Sequence, residues 1–170
     1  MDFLPGHWAL LILPHGGHAD LLVAAGRLAL RGPLTILDGG NRCNVYTLAR
    51  AVGGRTEVLE RITLARAFTC YQMVTLLENT SVGHGPVLLL DLLSTFYDEA
   101  VSIFERRRLL NDCLSHLRRL GQVSGVAVSI SLPKVASPEN NELLASLAAA
   151  ADGVWSPPPA LPVIEPQRLF

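Results

Sequence analysis

Short uninterrupted apolar runs recur along this chain, and each is followed by a longer segment of helical periodicity. The runs at 8–13 (WALLIL), 34–37 (LTIL), 62–65 (ITLA), 87–90 (VLLL) and 126–130 (VAVSI) are largely continuous rather than alternating. Strands buried on both faces read this way. Residues 20–30, 45–52, 70–78, 99–120 and 139–150 carry apolar side chains at helical spacing. In 99–120 the stripe is Ile103, Leu110, Cys113, Leu114 and Leu117, with Arg106, Arg107, Arg118 and Arg119 off it. Asp20 is placed to cap the first helix, and 153–155 reads as one more short strand. The order predicts right-handed βαβ units, hence an α/β domain with a mostly parallel twisted sheet and helices on both faces. Ligands of such sheets sit at the carboxyl ends of the strands, here 14–18, 38–41, 91–95 and 131–134. The domain is expected over 1–156. The proline-rich tail 157–170 is expected to lack regular structure, because proline fixes φ and removes a donor.

Composition narrows the function classes. The 170 residues are 49% hydrophobic and only 17% charged, enough for one sizeable core and for a surface that faces a partner. A net charge of -1 excludes a global basic field of the kind that drives non-specific nucleic-acid binding. Among the 14 basic residues only Lys134 is a lysine. Cys43, Cys70 and Cys113 form no CxxC pair, which points to a reducing cytoplasm and to small buried hydrophobes. The start of the chain lacks a basic region and is broken by Pro5, Gly6 and His7, a poor signal peptide. No apolar run reaches about 18 residues, so no membrane span is expected.

The segment Leu64-Ala65-Arg66-Ala67-Phe68-Thr69-Cys70-Tyr71-Gln72 resembles the ARAF/ARAY segment of RecA/RadA-type recombinases and their paralogs. Thr35 to Gly40 (TILDGG) lies where that family has a strand running into Asp-Thr-Glu-Gly. Val87 to Asp91 followed by Leu92 to Tyr97 is similar to the Walker B strand and the loop beyond it. Gly125 to Ser131 resembles the strand that ends in a polar Thr-Asn-Gln, and Ala151 to Trp155 the next short strand. The likeness runs in order from about residue 7 to 156, and implies a RecA-like P-loop NTPase core.

A working P-loop reads GxxxxGK[ST], in which backbone N–H groups cradle the phosphates, the lysine neutralises them and the hydroxyl holds Mg²⁺. The matching stretch here is Pro14-His15-Gly16-Gly17-His18-Ala19-Asp20. Ala19 stands at the lysine position and Asp20 at the Ser/Thr position, and Asp20 brings negative charge to where phosphate should sit. The family's catalytic glutamate falls at Gly40. Asp38 and Asp91 end their strands, either as remnants of a nucleotide site or as loop and cap carboxylates. Phosphoryl transfer is nearly all positioning and charge stabilisation, so the resemblance implies a degenerate Walker A, a pseudo-ATPase, no catalytic residue and no bound ATP. His7, His15, His18 and Asp20 contain an H-x-x-H spacing, a weak metal pattern, and a polar glycine-rich turn without metal is the expectation.

In the resembling family the two alanines of ARA floor a pocket for an aromatic side chain of a neighbouring subunit or mediator. Here that implies Ala65 and Ala67, lined by Ile36, Met73, Leu76 and Leu77. The alternative is that these alanines are strand residues under a helix. The DNA-binding loops would match 93–99 and 134–149, which carry only Lys134 as a cation beside Asp98, Glu99, Glu139 and Glu142. Direct DNA contact is therefore expected to be weak, with Lys134, Arg106 and Arg107 as its candidate residues. The leading expectation is a non-catalytic recombinase-like protein acting through a protein partner or a homo-oligomer, as an accessory subunit in DNA recombination or repair. The alternatives are a nucleotide-binding regulator with a degenerate P-loop, and an unrecognised doubly wound α/β enzyme.

Overall fold

The computed structural model describes residues 6–14, 16–132 and 137–156. Its centre is a six-stranded sheet in the order β3-β2-β4-β5-β1-β6, with every pairing parallel. The strands are β1 (Trp8–Leu13), β2 (Leu34–Asp38), β3 (Ile62–Arg66), β4 (Val87–Leu90), β5 (Val126–Ser131) and β6 (Gly153–Trp155). All four residues of β4 and five of the six in β5 are buried, as the continuous apolar runs require. The edge strands differ. β6 is three residues long and wholly exposed, and β3 is exposed at three of its five positions.

Two helical layers cover the sheet. On one face α1 (His18–Ala29), α2 (Val45–Ala51) and the short α3 (Thr56–Leu59) bury Leu22, Ala25, Leu48 and Val58 against Leu11, Ile36, Leu88 and Leu90. On the other, α4 (Cys70–Asn79), α5 (Ile103–Val123) and α6 (Pro138–Ala150) bury Met73, Leu77, Leu110, Leu117 and Leu143 against Leu10, Leu37, Leu89 and Val128. Each fully buried leucine contributes about 1.5–3 kcal/mol. α1 and α2 touch closely at Gly26, where a Cβ would lie 2.6 Å from the Cβ of Ala51.

The helix starts follow from local side-chain bonds. Asn44 accepts from the amides of Tyr46 and Thr47, Thr69 from Gln72, Ser102 from Glu105 and Ser137 from Asn140. Pro138 occupies the first turn of α6, where a missing N–H costs nothing. Among the differences from expectation, three have a clear local setting. α1 begins at His18 with Gly17 as its cap, so Asp20 lies inside the first turn and caps nothing. α5 begins at Ile103 rather than 99, because the Ser102–Glu105 bond fixes its start. The stretch after β4, read as loop, is a 3-10 turn over Leu92–Phe96 with four of its five residues buried. Tail residues 157–170 lie outside the described residues. No helix among the described residues is long and apolar enough to cross a membrane.

Candidate functional site

The carboxyl edge of β2, β4 and β5 holds several of the buried polar residues, Asp38, Asp91 and Ser129 among them. Asp38 ends β2 and is fully buried, and Asp91 follows β4 at 1% exposure. The Asp38 carboxylate organises the loop after it. Oδ1 accepts from the backbone amides of Gly40 at 3.3 Å and Arg42 at 2.9 Å. Oδ2 accepts from the Cys43 amide at 2.9 Å and from Arg66 Nε at 3.2 Å. With three amides and one guanidinium around it, this charge is compensated inside the fold.

Asp91 sits in the left-handed region, φ 53° and ψ 51°, a conformation that costs a non-glycine residue about 1–3 kcal/mol. Neighbouring bonds hold it there. Its amide donates to Ser129 Oγ at 3.1 Å, its Oδ1 accepts the Ser131 amide at 2.8 Å, and its Oδ2 accepts Arg42 Nε at 2.7 Å. Arg42, which the sequence reading passed over, thus carries the only guanidinium that contacts Asp91 among the described residues. Gly40 presses on the same carboxylate. A Cβ there would lie 2.6 Å from Asp91 Oδ2, so no side chain at position 40 fits without displacing Asp91.

Between β1 and α1, the described residues bond to one another. The Gly17 amide donates to Pro14 O at 3.0 Å and the Ala19 amide to Gly16 O at 3.2 Å. Both donors are therefore consumed within the turn. Gly16 takes φ 87°, which its lack of a Cβ permits. His18 is 7% exposed, with Nε2 3.3 Å from Ser129 Oγ. Burial lowers its pKa below the ordinary 6.5, and Arg42 pushes the same way against the opposing pull of Asp91 and Asp38. His18 is thus a neutral interior histidine. His7 instead lies 71% exposed beside Asp152, and His15 falls outside the described residues. The cysteines are buried with thiol pKa values pushed up, chiefly by burial, which makes them poor nucleophiles.

The crystal structure of the RadB recombinase superposes on this chain with a TM-score of 0.59 at 15% identity, covering 91% of this chain and 76% of that one. The fold is RecA-like. No family model matches the sequence, and no curated protein matches it.

Other residues singled out in the sequence are placed differently within this RecA-like sheet. Ala67 is 1% exposed and belongs to the core with Met73, Leu77 and Leu37, rather than to an open depression. Its amide donates to Asp38 O at 3.0 Å, which draws it under α4. Ile36 points to the opposite face of the sheet, beneath α1 and α2. Of the expected pocket only Ala65 and Leu76 stay partly exposed. What is open nearby is the free edge of β3, with Leu64 at 36%, Phe68 at 70% and Tyr71 at 49% exposure. Arg106, expected on a solvated face, is 3% exposed, bonded to Phe96 O at 3.2 Å and to the Glu139 carboxylate. Arg107 is half-buried and paired with Glu142. Lys134 lies outside the described residues.

Two measurements check these placements. Ala67→Glu is expected to cost about 3–5 kcal/mol, the scale of an uncompensated buried charge. Circular dichroism with urea titration reads this directly, and a folded variant with an unchanged midpoint would contradict it. Because the folded pKa of His18 lies below its unfolded value, protons bind the unfolded chain preferentially as pH falls below 6.5. Stability should decline from there until His18 also protonates in the fold, and His18→Gln should flatten that part of the curve. An equal slope in both proteins would remove His18 from the account.

Proposed function

We propose that this RecA-like chain is a non-catalytic protein that works through protein–protein contact, as an accessory subunit in DNA recombination or repair. The observation that carries the reading is the Arg42–Asp91 pair. At the position similar to the Walker B carboxylate, Arg42 of the same chain already pairs with Asp91 Oδ2, which competes with any metal–phosphate complex there. Three further features support it. The β1–α1 turn spends two amides on itself, Asp20 adds negative charge to the first turn of α1, and position 40 has no room for a glutamate. The chain matches a P-loop by place and departs from it in every group that handles phosphate.

The surface suited to a partner is the edge of β3. Its outer backbone donors and acceptors face away from β2, and a parallel edge strand is a template for strand addition. Phe68 and Tyr71 beside it supply aromatic area of the kind that dominates interfaces. Direct DNA binding has little support, because Arg106, Arg107 and Arg108 are each paired with carboxylates. The likeness to the RadB recombinase supports the recombination setting of this reading.

Leu64→Asp tests the reading, since the side chain is exposed and the fold should survive. The wild-type chain is expected to self-associate on gel filtration with light scattering, or to co-purify with a partner from native cells. Leu64→Asp should abolish that association while keeping the circular dichroism spectrum. An assembly that survives both Leu64→Asp and Phe68→Ala, or a wild-type chain that stays monomeric and captures nothing, would overturn it.

A further inference from the structure

Helices α1 and α2 meet at Gly26 and Ala51, a contact that leaves no room for a side chain at position 26. On the amino-terminal side of that contact they part into an open groove of about 440 Å³, lined by Ala19, Asp20, Val23, Thr47, Arg50 and Ala51. Helical spacing produces this lining. Residues 19, 20 and 23 share one side of α1, and 47, 50 and 51 share one side of α2. Ala19, Val23 and Ala51 make the floor apolar. The space takes several small side chains rather than a single ion.

A second observation concerns charge. Arg27, Arg50 and Arg55 are all exposed around the carboxyl-terminal ends of the two helices. Arg27 lies in the last turn of α1, on the side of Asp20 and Val23, and Arg50 in the last turn of α2. Arg55 follows α2 and donates from Nε to Val52 O at 3.0 Å. Helix dipoles favour cations at these places but supply no counter-ion. None of the three has a carboxylate partner among the described residues, whereas Arg106, Arg107 and Arg108 on α5 all do. Asp20, the carboxylate of the groove lining, stands at the amino-terminal end of α1 and is not paired with Arg50. The groove is therefore polarised along its length. Tyr46, one turn before Arg50 on α2, is 84% exposed.

We propose that the α1–α2 groove docks an acidic segment of a partner protein, its carboxylates directed to Arg27, Arg50 and Arg55 and away from Asp20. Carboxylates match the planar guanidinium fork. Small apolar residues of the same segment fill the alanine and valine floor, and Tyr46 adds aromatic area at the rim. A nucleic-acid backbone suits the groove less, because its phosphates would meet Asp20 and it brings no side chain for the apolar floor. This contact goes beyond the accessory-subunit reading and uses the helical layer α1–α2 instead of the β3 edge.

A short labelled peptide of alternating glutamate and alanine is titrated into the full chain, followed by fluorescence anisotropy and amide NMR. The same peptide with lysine in place of glutamate, and a short oligothymidylate, are run beside it. Shifts are expected at Val23, Thr47, Arg50 and Ala51 with the acidic peptide and not with the basic one. Arg50→Glu should weaken the acidic peptide about tenfold or more, since a like charge replaces the fork. Arg27→Glu, outside the groove lining, should act in the same direction, and Asp20→Asn should tighten binding. All three side chains are exposed, so each variant should keep the wild-type circular dichroism spectrum. Leu64→Asp alters only the β3 edge and should bind as the wild type does, so failure here is read apart from failure of the accessory-subunit reading. No saturable binding, shifts centred outside the groove, or an affinity that Arg50→Glu and Arg27→Glu leave unchanged would overturn the proposal. So would tighter binding of oligothymidylate at the same amides, which would make the groove a nucleic-acid surface. Self-association that Arg50→Glu abolishes would also overturn it, by filling the groove with a second copy.

Discussion

The structure depends on compensating two carboxylates at the carboxyl edge of the sheet. Asp38 and Asp91 are both within 1% of complete burial, and neither is tolerable there as an isolated charge. Asp38 is answered by three amides of the loop 39–43 and by Arg66. That set folds the loop back over the edge and carries Arg42 to Asp91. The Asp91 carboxylate in turn holds the Ser131 amide at the end of β5, while its own amide rests on Ser129, which His18 reaches from α1. One charge-compensating network therefore joins β2, β4, β5 and α1, and it occupies the edge where a RecA-like sheet would otherwise meet a ligand.

Much of the fold was legible in the sequence because its cause is local and apolar. The bounds of β1, β4 and β6 were read as found, since buried parallel strands are continuous runs between breakers. The RecA-like likeness rested on Leu64 to Gln72 and on the order of strands ending in Asp38 and Asp91, and the superposition on RadB supports the fold. Boundaries were lost where side chains set them. Ser102-x-x-Glu105 is a capping signal in plain view, and it places the start of α5 four residues later than periodicity alone suggested. The four-residue α3 is too short to show a period.

The site was less legible, because its decisive contacts are long in sequence. Arg42 and Asp91 are 49 residues apart, and Arg106 and Glu139 are 33 apart. No spacing rule links them. The only hint was that Asp38 and Asp91, ending buried strands, needed cations, and Arg42 and Arg66 flank Asp38 in the folded edge. Ala67 failed as a pocket residue for a related reason. A small residue next to an edge strand reads equally as a floor for a partner or as room for the chain's own helix, and α4 fills the space here. Edge geometry separates the two, leaving Leu64, Phe68 and Tyr71 exposed beside β3.

The carboxyl edge satisfies the charges of Asp38 and Asp91 from within the chain, and we propose that it therefore takes no metal–nucleotide complex. Thermal melting in the presence and absence of millimolar Mg²⁺-ATP tests it most directly, because any ligand bound to the folded state raises the midpoint by mass action. The same midpoint is expected with and without the nucleotide, for the wild-type chain and for Asp91→Asn alike. A saturable rise in the wild type that disappears in Asp91→Asn would contradict it.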